Sequence, residues 1–164
     1  MIDRENRKNP GPYHDFFLLE SLEKVAYSAL RQYLPKRSRA HLSDEILRFI
    51  MLDTINWVPS FIPREHCWES HQGLDLYRMT IIGADGAEKL SQIIPLWGKL
   101  FEAGPECLTL TCGWTNAETP ELPYGHYVKR LYVRDKVVAP LKVLYGYSRA
   151  VMEGQAGYIL HVGI

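Results

Sequence analysis

Apolar residues recur along this chain in two periods, and the changes of period lay out its elements. Over residues 14–34, Phe16, Leu19, Leu22, Ala26, Leu30 and Tyr33 return at three- and four-residue steps, which puts them on one face of a helix. Pro35 stops that helix. A second helical run begins at Ser43, a good N-cap residue. Asp44 and Glu45 sit in its first turn, where the helix dipole favours negative charge. Leu42 and Leu47 are spaced for a hydrophobic staple across the cap. Its stripe reads Ile46, Phe49, Ile50, Asp53 and Trp57, and Pro59 ends it.

After an irregular stretch at 59–73 the period shifts to two. Leu74, Leu76, Met79, Ile81 and Ile82 predict a strand over 74–82. Asp85 and Glu88 resemble a capping box, and Leu90, Ile93, Ile94, Trp97, Leu100 and Phe101 predict a helix to Ala103. Pro95 is expected to kink or divide it. Leu108, Leu110, Cys112 and Trp114 alternate over a strand at 106–115. Tyr127, Leu131 and Val133 alternate over another at 126–134. A helix at 135–153 and a closing strand at 157–164 complete the chain.

The expected fold class is α+β, with two N-terminal helices followed by a β-α-β-β-α-β unit. That unit predicts a four-stranded, mainly antiparallel sheet whose order is compatible with a ferredoxin-like arrangement. At 164 residues the chain is expected to be a single domain, 1–164, with a loose leader at 1–12. A chain this long can bury a sizeable core without a metal or disulfide staple.

Composition narrows the function classes. Nineteen basic residues balance nineteen acidic ones, which argues against a generic nucleic-acid binder. Cys67, Cys107 and Cys112 make an odd, sparse count, and Met1–Gly11 lacks the apolar core of a signal peptide. Together these predict a reducing compartment and a cytoplasmic, bacterial-style protein. No window approaches a membrane span, so no membrane partner is expected.

No motif names a reaction. His66, Cys67 and His71, with Cys107 and Cys112, lack the paired spacing of a zinc site, so no metal and no cofactor are expected. Ser60, Ser70 and Ser148 lack a nucleophile elbow, and the phosphate-loop and dinucleotide fingerprints are absent. His161 reads as a packed or hydrogen-bonded residue of the closing strand rather than a catalyst. Glu65, His66, Glu69 and His71 crowd around Trp68 in the 59–73 loop, where acid/base chemistry or a small-ligand site is conceivable. Tyr127 and Tyr132 beside Lys129, Arg130 and Arg134 offer an RNA-stacking alternative, but the ribonucleoprotein pattern is missing.

What remains is a surplus of aromatics, 12% of residues, several of them in loops. Such side chains are the usual anchors of protein interfaces. With the Tyr158–Ile164 ending, the length and the neutral charge, the chain resembles the immunity proteins of bacterial polymorphic toxin systems. The resemblance implies a non-enzymatic protein that binds one cognate partner, a toxin, and blocks it. It carries no residue assignments. From the sequence itself, the partner-binding candidates are Phe61, Glu65, His66, Trp68, Glu69 and His71 in the first loop, and Glu118, Glu121 and Tyr124 in the second. The runner-up readings are a small enzyme or ligand-binding domain using Glu65–His71, and an RNA-binding sheet.

Overall fold

The computed structural model describes residues 12–22, 38–65, 67–116 and 124–164. Among the described residues, eight strands and three helices follow one another: β1 (Tyr13–Leu19), β2 (Arg39–Ser43), α1 (Asp44–Ile46, Leu47–Met51 and Leu52–Ile55 in succession), β3 (Pro59–Pro63), β4 (Trp68–Gln72), β5 (Met79–Ile82), α2 (Ala84–Glu102), β6 (Cys107–Thr115), β7 (His126–Val133), α3 (Arg134–Met152) and β8 (Tyr158–Val162).

The class is α+β, but the expected arrangement is overturned. Six strands form one antiparallel sheet in the order β2-β1-β8-β5-β3-β4, and β6 and β7 form a separate two-stranded sheet. The four-stranded, ferredoxin-like unit therefore does not form. The described residues carry three helices, and these are not two N-terminal ones followed by a split unit.

The first error lies at β1. His14 and Phe16 are buried on one face of this strand and Phe17 and Leu19 on the other. A strand covered on both faces reads as a nearly continuous apolar run, which three- and four-residue steps can imitate. The remainder of the predicted first helix, 23–34, lies outside the described residues, as does nearly all of the predicted leader, 1–11. The second error is the 59–73 loop, which is the antiparallel hairpin β3–β4. Pro59 and Pro63 sit at the two ends of β3, where a missing N–H is tolerated.

The second predicted helix exists as α1, with a different buried face. Ile46, Leu47, Met51 and Ile55 are buried, whereas Phe49, Asp53 and Trp57 are exposed. The π-helical turn Leu47–Met51 lengthens the repeat and rotates the following residues out of the expected stripe. Pro95 leaves α2 undivided from Ala84 to Glu102.

β8, the closing strand, runs between β1 and β5 near the middle of the large sheet. The helices pack against one face. Leu90 and Ile94 of α2 and Leu141 and Leu144 of α3 join Phe16, Ile82 and Ile159 in the main core. A smaller cluster, Phe17, Leu19, Met79, Ile81 and Leu160, lies on the opposite face. Gly86 makes the α2–β3 approach possible. A Cβ there would fall well inside van der Waals contact distance of the Pro59 carbonyl oxygen and 2.6 Å from Ile82 Cγ2. Among the described residues, no helix is long and apolar enough to cross a membrane.

Candidate functional site

The β6–β7 hairpin has one face that packs and one that does not. Leu108 and Cys112 of β6 are buried, Leu110 is half-buried, and Tyr132 of β7 points the same way. The Tyr132 hydroxyl donates to Glu45 Oε2 at 2.6 Å, and Arg130 Nε donates to Glu45 Oε1 at 3.2 Å. One carboxylate at the start of α1 thus fastens the hairpin to the body. Burial first, and the bond to Glu45 second, push the Tyr132 phenol well above its ordinary pKa. Burial, with Glu45 nearby, also raises the Cys112 thiol, which disfavours its thiolate.

The outward face carries Tyr127, Leu131 and Val133 of β7, all exposed, with Lys129 among them. A register shift between Thr111 and Trp114 adds Trp114 to this face, opposite Tyr127. The bulge breaks the alternation that had assigned Trp114 to the inner side. Gly113, at the bulge, lets the Phe49 ring lie where a Cβ would stand 2.7 Å from its Cζ. Trp114 and Tyr127 meet edge to face with centroids 5.0 Å apart, and Trp114 Nε1 donates to Asn116 Oδ1 at 2.9 Å. Tyr124, next to the hairpin in sequence, is 90% exposed. The result is a preformed aromatic and aliphatic surface on a strand pair, with one lysine and no outward carboxylate on β6 or β7.

The predicted first-loop residues fall on the β3–β4 hairpin. Phe61 and Trp68 stand 6.0 Å apart, and Trp68 meets Tyr158 edge-on at 5.4 Å. The ring of Trp68 therefore packs partly on β8 while remaining 42% exposed. Glu69 accepts from Arg64 Nε at 2.7 Å on the open surface, and Glu65 is exposed in the turn. His71 pairs in register with Ser60, whose hydroxyl donates to Gly73 O. The structure brings Phe61 and Trp68 together; it does not gather Glu65, Glu69 and His71 into a desolvated acid/base group. His66, Glu118 and Glu121 lie outside the described residues.

Of the basic residues proposed to line an RNA sheet, Arg130 is turned to Glu45. Arg134 bonds Asp135 and Gly104 O, and Lys129 is left on the outer face.

A second constellation, missed in the sequence, is a polar chain through the core. His14 Nε2 lies 2.9 Å from Asp44 Oδ1, His14 Nδ1 lies 2.8 Å from His161 Nε2, and His161 Nδ1 lies 3.4 Å from Thr80 Oγ1. Thr80 Oγ1 accepts from the Asp75 N–H at 2.9 Å, and Arg48 reaches Asp44 Oδ1 at 3.1 Å. His14, Thr80 and His161 have no solvent exposure. Their side chains lie on the helix-covered side of the sheet, where Phe16 packs 5.0 Å from the His161 ring. Burial lowers the pKa of both histidines. At His14 Asp44 partly offsets the effect, and at His161 the neighbouring His14 adds to it. His14 stood in a stretch read as helical, so nothing in the sequence placed it opposite His161.

On the outer face of β1 and β2, Asp15 binds His41 Nδ1 at 2.5 Å and Arg39 at 2.8 Å, and Tyr13 stacks on His41 at 3.8 Å. This is a cross-strand ion-pair cluster satisfied within itself. A groove of about 190 Å³ between α2 and α3 is lined by Ile94, Gly98, Leu141 and Tyr145 among others. That is below the volume range of ordinary ligand pockets. Among the described residues no three histidines, cysteines or carboxylates gather where they could hold a metal ion.

Comparison with known proteins found no match: no family model, no curated protein and no solved structure resembles the chain closely enough to count.

Proposed function

We propose that this protein is a non-enzymatic, cytoplasmic protein-binding module, and most sharply an immunity protein that neutralises a cognate bacterial toxin by direct binding. The observation that carries the reading is the outward face of β6–β7. Trp114, Tyr127, Leu131 and Val133 are held at fixed spacing on paired strands, with the opposite face of the same hairpin fastened to the core through Glu45. Rigid aromatics presented this way contribute contact area at low entropic cost, which is the property of interface anchors. Tyr124 extends this surface in sequence, and Phe61 and Trp68 offer a second aromatic site on the β3–β4 hairpin.

The test is recovery of the tagged chain from its native host, beside a Trp114→Ala/Tyr127→Ala double variant. The expected result is one stoichiometric partner that the wild-type chain retains and the double variant loses. Expression of that partner alone should arrest a bacterial host, and co-expression of this chain should restore growth. Recovery of only chaperones and ribosomes, or equal retention by both chains, overturns the reading.

A further inference from the structure

Four elements distant in sequence, β1, β8, β5 and α1, meet at the buried chain Asp44–His14–His161–Thr80. We infer that the His14–His161 pair is an acid-sensitive latch, in which proton uptake by the two imidazoles releases β1, and with it β2 and the start of α1, from β8.

The geometry allows one fully satisfied arrangement of protons. His14 Nε2–H donates to Asp44, His161 Nε2–H donates to His14 Nδ1, and the Thr80 hydroxyl donates to His161 Nδ1 while accepting from the Asp75 N–H. Both rings are neutral in that arrangement. A proton added to His14 turns its Nδ1 into a donor. It forces His161 into the other tautomer and leaves the Thr80 hydroxyl without its acceptor. A second proton sets two N–H groups against each other across 2.8 Å, in a place with no solvent exposure.

The charged surroundings cannot absorb this. His14 faces Asp44 and Arg48 from α1, Asp15 acts on it weakly from the opposite face of its own strand, and His161 faces His14. Asp44 is already shared with Arg48. The buried faces of α2 and α3 carry no charged residue, and β2 turns Ala40 and Leu42 inward while Arg39 and His41 face out. Among the described residues, the two imidazoles therefore depend on one directly bonded carboxylate, and it is already engaged.

The sheet order decides what opens. Among the described residues, β1 is the one strand joining β2 to the remainder of the large sheet, and Asp44 N donates to Pro12 O just before β1. Loss of the β1–β8 register frees β1, β2 and the first turn of α1, while β8-β5-β3-β4 stays paired.

Hydrogen exchange of the full chain at pH 7.5 and 5.5, corrected for intrinsic rates, tests the latch. The expected result is at least about tenfold faster exchange in Tyr13–Leu19 and Arg39–Ser43 at the lower pH, one decade per pH unit for each imidazole below its ordinary value. Residues Leu90–Phe101 of α2 should change little. A His161→Gln variant, which can donate to His14 and accept from Thr80 without titrating, should lose most of the pH response. Unchanged β1 and β2 protection, equal acceleration in α2, or a folded variant with the wild-type response would each overturn the latch. Imidazole ¹⁵N shifts of the wild-type chain test it without any variant. Neutral rings at pH 7.5 are expected, and a cationic His14 or His161 in the folded protein at that pH would overturn it.

Discussion

Glu45 accepts a hydrogen bond from the Tyr132 hydroxyl at 2.6 Å across 87 residues of sequence, and the same carboxylate holds Arg130. This pairing adds to the packing of Leu108 and Cys112 in fastening the β6–β7 hairpin to the body, although it joins no strand of the large sheet. Truncating Glu45 would leave a half-buried phenol and a guanidinium without their acceptor. Glu45→Ala is expected to lower unfolding free energy by about 1–3 kcal/mol. Tyr132→Phe, which removes one donor and leaves the carboxylate with Arg130, should cost less, about 1 kcal/mol. Urea denaturation of the two variants checks the order. An equal or reversed cost would show that Arg130 and Tyr132 do not share one anchor.

Gly86 is required by packing rather than by backbone angles. It is helical, yet a Cβ would press on the Pro59 carbonyl, which is backbone and cannot rotate away, and on Ile82. In an open helix Gly→Ala stabilises by roughly 1 kcal/mol. At this position it is expected to destabilise by about 1–3 kcal/mol, the range of overpacking. Gly98 and Gly146 have open space and should instead be neutral or stabilised by the same change. Thermal melts of the three alanine variants would decide between packing and propensity.

The reach of the sequence differed from element to element for physical reasons. α2, α3 and β7, and β6 up to its bulge, were legible because each has one buried and one open face, so their periods are clean, whereas β8, buried on both faces, was legible as a short apolar run set off by Gly157. β1 was not, because burial on both faces erases the period of two. β3–β4 was not, because its prolines and polar residues carry turn signals although the segment pairs as a hairpin. The aromatic surplus was visible, but its grouping was not. Trp114 reaches the outer face through a bulge, and Tyr132 turns inward to meet Glu45, a partner no local pattern could name. Likewise His14 and His161 are separated by 147 positions, and only the placement of β8 beside β1 brings them into contact.

Stability should fall on mild acidification. Both buried histidines have folded pKa values below their ordinary value near 6.5. The unfolded chain therefore binds protons first as pH falls, and stability rises with pH between the folded values and about 6.5. Each ring can contribute at most about 1.4 kcal/mol per pH unit in that window, and nothing above it. Denaturation midpoints measured from pH 8 to 5 should be flat from 8 to 7 and drop below 6.5. In Asp44→Asn the attraction that raises the His14 value is lost, so the drop should extend to lower pH. That variant should also be less stable at pH 7.5, because Arg48 loses its carboxylate. A rise in stability on acidification would contradict the neutral assignment of the rings.

The outward hairpin face should separate binding from folding. Trp114, Tyr127 and Leu131 are 52%, 60% and 46% exposed, so each leaves about half its surface free for a partner. Single alanine variants should stay folded, at a cost of about 0.5–1.5 kcal/mol for the lost half-buried contacts. Trp114→Ala is expected to cost slightly more than Leu131→Ala, since it also removes the edge contact with Tyr127 and the bond to Asn116. Against a recovered partner, the same variants should weaken affinity by at least 2 kcal/mol if this face holds the anchors, roughly thirtyfold in Kd. Thr109→Ala and Thr111→Ala on the same face should change it far less, because anchors are few and their neighbours are near neutral. Calorimetric titration of the panel against the partner distinguishes the cases. Losses confined to Phe61 and Trp68 variants would move the interface to the β3–β4 hairpin, whereas losses at Trp114 and Tyr127 fix it on β6–β7.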